Sequence, residues 1–133
     1  MKKILMLCML FLVLFGCTNP FEETVRDSLP GLLEEAVLSP DNEMIHLESV
    51  GNRRAVAVLV EPNEMQSTYH VAVIERISPN WKMVEIINVS DVRVNAGVQL
   101  DHLGAGIATD TSLEESTYVT LPEEGRYLWY TYR

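Results

Sequence analysis

Arg53-Arg54-Ala55-Val56-Ala57-Val58-Leu59-Val60 decides the fold. From Ala55 to Val60 every position is apolar, and small residues alternate with branched ones. Such a run fits a strand buried on both faces, and therefore a central one. Alternation sends Ala55 and Ala57 to one face and Val56 and Val58 to the other. The alanine face leaves room for a close neighbour, so the helix expected upstream belongs over it.

Working outward, Met44 to Val50 is a preceding strand, joined through Gly51-Asn52, a pair suited to the positive φ of a tight hairpin. Glu61 to Gln66, with Pro62-Asn63, is a polar loop. Thr68 to Ile77 alternates, with Tyr69, Val71 and Val73 on one face and His70, Ala72 and Ile74 on the other. Ser78-Pro79-Asn80 is a turn, and Trp81 to Val89 returns. These four strands predict an antiparallel meander.

Upstream, Phe21, Val25, Leu29, Leu32, Leu33, Ala36 and Val37 keep to one helical face. Asn19 reads as the N-cap, Pro20 as the first helical residue, and Glu22 and Glu23 favour the positive end of the dipole. Pro30-Gly31 interrupts the pattern, which predicts a kinked helix or two short helices ending near Ser39-Pro40. Downstream, Ser90 to Glu115 reads as loop-rich, with a short strand over Asp91 to Val94. Thr117 to Leu121 and Arg126 to Tyr132 predict a last hairpin, with Gly125 in a left-handed position. The expected class is α+β: an N-terminal helical segment packed on an antiparallel β-meander sheet of five to seven strands.

The N-terminus carries an address. Lys2 and Lys3 precede an apolar run from Ile4 to Phe15, too short for a transmembrane helix, which needs about 20 residues. Leu14-Phe15-Gly16-Cys17 follows. This resembles the lipobox of bacterial lipoproteins, with a small residue directly before the cysteine, although Phe15 departs from the small or β-branched residue usual there. The resemblance implies a diacylglycerol on Cys17, cleavage between Gly16 and Cys17, and a membrane anchor of fatty-acyl chains such as palmitate. It divides the chain into a cleaved signal peptide, 1–16, and a single extracytoplasmic domain, 17–133, lipid-anchored to the bacterial cell membrane.

Of the two cysteines, Cys8 lies in the signal and Cys17 takes the lipid, so the exported domain must hold by packing without a disulfide. All 19 acidic residues stay with that domain against eight of the ten basic ones, a net charge of −11. Such a surface argues against nucleic acid as a partner, because counterion replacement needs basic side chains. It leaves anchoring to the lipid.

No catalytic signature stands out. His46, His70 and His102 show no metal-ligand spacing, and neither a Gly-x-Ser-x-Gly elbow nor a Ser-x-x-Lys is present. Gly104-Ala105-Gly106-Ile107-Ala108-Thr109 lacks the third glycine of a dinucleotide fingerprint. No cofactor is implied. Tyr127 and Trp129 fall on one face of the last strand, Tyr130 and Tyr132 on the other. An exposed set of these aromatics would suit recognition of an envelope protein or glycan. The composition therefore points to a non-enzymatic binding or accessory protein of the cell envelope, with aromatics near Trp129 or the loop from Asn95 to Asp110 as the carrying surface. The alternatives are a small envelope hydrolase using His102 with Asp101 and Asp110, and a structural subunit of an envelope complex.

Overall fold

A computed structural model describes residues 20–77, 80–113, 115–123 and 125–133, with Pro20 and Phe21 described by their backbone alone. Gly16, Cys17 and Asn19 lie outside the described residues. The element order is α1 (Pro20–Glu35), β1 (Glu43–Ser49), β2 (Arg54–Glu61), β3 (Thr68–Ile77), β4 (Asn80–Asn88), a 3-10 turn (Val89–Asp91), β5 (Gly97–Gln99), β6 (Leu103–Ala108), β7 (Thr117–Thr120) and β8 (Tyr127–Tyr132). The strands form two antiparallel four-stranded sheets, ordered β1-β2-β3-β4 and β5-β6-β8-β7. The class is α+β with a helix on an antiparallel sheet, but the described residues hold eight strands in two sheets instead of five to seven in one.

The layers run helix, first sheet, second sheet. Val25, Leu32 and Leu33 of α1 meet Ala57, Leu59, Ile74 and Trp81 on one face of the first sheet. Val56, Val58, Tyr69, Val71 and Val73 on its other face meet Leu103, Ile107, Leu128 and Tyr130 of the second. Strand β2 is buried from Ala55 to Leu59, with its alanine face under the helix, as its sequence predicts. The first turn has three residues, Gly51 to Arg53, closed by the Val50 N–H donating to Arg54 O at 2.9 Å. Gly51 takes φ 103° there.

Both edges of the first sheet are bulged. In β4 the register jumps from Val73↔Glu85 to Ile74↔Met83, leaving Val84 as the extra residue. Strict alternation would put Trp81, Met83, Glu85 and Ile87 on one face. The bulge instead turns Trp81 and Met83 to the helix and Glu85 and Ile87 toward the second sheet. A similar shift at Ile45 in β1 puts Met44 and Leu47 under the helix and brings His46 to Tyr130.

Helix α1 is one element that runs through Pro30 and ends earlier than Ser39-Pro40. Pro30 is exposed, so the carbonyl its missing N–H would have bonded lies on the solvent side. Leu38 N–H donates to Leu33 O at 2.8 Å and Val37 N–H to Glu34 O at 3.1 Å. These two bonds close the helix as a Schellman motif, with Val37 at φ 58° in the place glycine normally takes.

The largest departure from expectation is in Ser90 to Glu115. Asp91 to Val94 does not form a strand; Asn88 Oδ1 accepts from Ser90 N–H at 3.0 Å and caps the 3-10 turn instead. The glycine-rich Leu103–Ala108 is a strand buried at every position, second in the order of its sheet.

Candidate functional site

The helix and the second sheet cover both faces of the first sheet. The second sheet turns Leu103, Ala105, Ile107, Leu128 and Tyr130 inward, and among the described residues no helix or sheet lies over its other face. That outer face carries Gly97 and Gln99 of β5, Gly104, Gly106 and Ala108 of β6, Tyr127, Trp129 and Thr131 of β8, and Tyr118 and Thr120 of β7.

Small residues on β6 shape this face. Trp129 pairs with Gly106 on one side and Tyr118 on the other. Its indole leans over β6 onto β5: a methyl group at Gly97 would come within 2.5 Å of Trp129 Cζ2, and one at Gly106 within 2.8 Å of Trp129 Nε1. The glycines thus form a bed that the indole fills. Tyr118 and Tyr127 meet edge to face beside it, with ring centroids 6.4 Å apart and planes at 87°.

Two loop segments border a cleft beside the indole. Asn95, at φ 64°, donates its N–H to Ile107 O at 2.8 Å, and its Oδ1 accepts from Thr109 N–H at 3.1 Å. Tyr118 hydroxyl accepts from Leu113 N–H at 2.8 Å and lies 3.0 Å from Leu113 O, tying the second segment to β7. Asp110 Oδ1 accepts from Ser112 Oγ at 2.6 Å and from Ser112 N–H at 3.1 Å. These bonds hold the Asp110 carboxyl below its ordinary range, so it is charged at neutral pH. Between the segments lies an open cleft of about 580 Å³, lined by Asn95, Gln99, Asp110, Ser112, Leu113 and Trp129, with Ala96 to Val98 and Ala108 beneath. That volume is in the usual range of ligand clefts, about 300–1,000 Å³.

The predicted aromatics divide between two environments. Tyr130 is only 1% exposed and belongs to the inter-sheet core, with its hydroxyl 2.8 Å from His46 Nε2. Burial pushes its hydroxyl pKa well up, so it stays protonated. Tyr132 is half-buried at the end of the same face, and its hydroxyl accepts from Arg54 Nη1 at 2.9 Å. Tyr127 and Trp129 are partly exposed on the outer face. A recognition surface built on this strand therefore has Tyr127 and Trp129, joined by Tyr118, and excludes Tyr130.

His102, Asp101 and Asp110 are not brought together. Asp101 and His102 precede β6, whereas Asp110 follows it, a separation of roughly 26 Å along an extended strand. The carboxylate beside His102 is Glu85: Oε2 lies 3.2 Å from His102 Nδ1, and Oε1 accepts from the N–H groups of His102 and Leu103 at 2.9 and 3.4 Å. Tyr132 stacks on the imidazole with centroids 6.0 Å apart. With Arg54 and Glu75, 3.6 Å apart, these groups close one end of the sandwich with polar contacts. Among the described residues no three His, Cys, Asp or Glu side chains gather as a metal site.

The sequence offered the aromatics near Trp129 and the segment from Asn95 to Asp110 as separate candidates; it missed Ser112 and Leu113, and it missed that Gly97, Gln99 and Gly106 join Trp129 in one surface. The available signal was the period-two run of small residues, Gly104, Gly106 and Ala108, in a chain whose last strand places a tryptophan outward. No known protein family, curated protein or solved structure matches the chain.

Proposed function

We propose that this chain is a bacterial lipoprotein, anchored through acyl chains on Cys17 after loss of residues 1–16. Its domain would work outside the cytoplasmic membrane as a non-enzymatic binding or accessory protein of the envelope. The anchoring half of the reading rests on Lys2-Lys3, the short apolar run and Leu14-Phe15-Gly16-Cys17. Two acyl chains give stable attachment where one gives only reversible binding. The binding half is carried by one observation: the face of the second sheet that no described helix or sheet covers is an aromatic surface with a cleft beside Trp129.

The hydrolase alternative loses support, because Asp101, His102 and Asp110 do not converge and the Glu85 carboxylate is already engaged by two backbone N–H groups. Two measurements test the proposal. Cells expressing the wild type should incorporate labelled palmitate into the protein, and Cys17→Ser should abolish that label; an unlabelled wild type ends the anchoring reading. A benzophenone amino acid at position 113, beside the cleft, should give light-dependent adducts in intact cells. The same group at Glu34, on the exposed helix surface, should not. Equal adducts at both positions would remove any special status from the cleft.

A further inference from the structure

The cleft is specific enough in its chemistry to name a class of occupant. Trp129 lines it with an indole that lies over Gly97 and Gly106. The face of such a ring carries partial negative charge and attracts weakly positive C–H groups presented in a plane. Its rim carries amide groups from Asn95 and Gln99, a hydroxyl from Ser112 and a carboxylate from Asp110. These offer both donors and acceptors around the cleft that Trp129 also lines. A ligand that matches both needs an apolar C–H face and a circumference of hydroxyl groups in one rigid unit.

We propose that this face binds a glycan, with one pyranose ring stacked on Trp129 and its hydroxyls held by Asn95, Gln99, Asp110 and Ser112. The inference rests on the reading of the second sheet's outer face as a binding surface and adds the class of ligand. Charge narrows it further. The chain carries −9 overall and Asp110 is held ionised at the rim, so an anionic polymer is repelled and a neutral or amino-bearing sugar is accepted. A peptide strand added to the sheet edge fits less well, because β5 at that edge has only three residues and offers few ladder bonds.

The test uses the full chain in detergent micelles and three neutral tetrasaccharides as probes: chitotetraose, cellotetraose and maltotetraose. At least one should bind saturably, and saturation-transfer NMR should place its ring C–H protons against an aromatic side chain. Trp129→Ala should weaken binding by several-fold to about tenfold, the equivalent of one lost aromatic stacking contact. Trp129→Phe, which keeps a flat ring, should retain part of the affinity. Gln99→Ala, an exposed edge substitution, should weaken it several-fold. If none of the probes binds while the photo-cross-linker at position 113 captures a protein, the glycan is wrong and the binding surface stands. If no probe binds and no adduct forms, both fall. Saturable binding that survives Trp129→Ala and Gln99→Ala together would move the sugar elsewhere and overturn the site.

Discussion

Val37 and His70 show how single residues set the limits of this fold. Val37 holds φ 58° with its side chain 90% exposed. A β-branched residue in that region is strained, and its exposure returns little packing. Val37→Gly keeps both closing hydrogen bonds of the helix and relieves the strain, so it should stabilise the protein by about 1 kcal/mol in urea denaturation. A loss of stability would mean that Val37 contributes through a contact outside the helix end. His70 works in the opposite sense. It is only 7% exposed, and among the described residues its Nδ1 finds no hydrogen-bond partner. Burial lowers its pKa, opposed by the charges of Glu61 and Asp91. In the unfolded chain an imidazole titrates near its ordinary value of about 6.5. Below that pH the unfolded state takes up a proton that the native state resists. The stabilisation is therefore fully present above about pH 6.5 and is lost as the pH falls through the folded value. Thermal melts should show a drop in midpoint from pH 7 to pH 5 in the wild type and a smaller drop in His70→Leu. Equal drops would take His70 out of the acid response.

At the scale of elements, glycine position separates strand β6 from a loop. A methyl group at Gly106 would sit 2.5 Å from Ala96 O, a backbone atom, and 2.9 Å from Trp129 Cε2. Neither can give way without moving β5 or the indole. Gly106→Ala should cost about 1–3 kcal/mol, the usual penalty of overpacking. Gly31, inside α1, has nothing within 4 Å of the same added atom, and Gly31→Ala should stabilise by about 1 kcal/mol through helix propensity. Opposite signs in two melting curves check the pair; a neutral Gly106→Ala would show that the bed under Trp129 is loose. The same contrast explains what the sequence disclosed. Helix α1 and strands β1 to β4 were legible because their side chains repeat at 3.6 or 2 along the chain. The β7–β8 hairpin was legible from its alternation and from Gly125, which takes φ 71° in its turn. Strands β5 and β6 were not, because Gly97, Gly104 and Gly106 stand where outward side chains would mark the period. Their space is filled by Trp129 and Gln99, a substitution visible only once the strands are paired. The bulge at Val84 hid the two-sided role of β4 in the same way, by resetting the alternation midway.

For the whole molecule, the question is whether three layers behave as one folding unit. Strand β2 belongs to both cores: Ala57 and Leu59 pack under the helix, while Val56 and Val58 pack against the second sheet. Strand β3 does the same with Ile74 on one side and Tyr69, Val71 and Val73 on the other. Neither core can be lost without exposing a strand that the other needs, so unfolding should be a single cooperative step. The two tryptophans report on opposite sides of the molecule. Trp81 is 6% exposed in the core under α1, whereas Trp129 lies on the outer face of the second sheet. In single-tryptophan variants, Trp81→Phe and Trp129→Phe, each curve should share its midpoint with the far-ultraviolet signal of the same variant. Leu59→Ala in either background removes packing under the helix and should cost about 2–5 kcal/mol. It should lower the Trp129 transition as much as the Trp81 transition, although Leu59 faces away from the second sheet. If Trp129 instead melts first and ignores Leu59→Ala, the second sheet is a separate unit of lower stability. The cleft would then sit on a surface that opens without the rest of the domain.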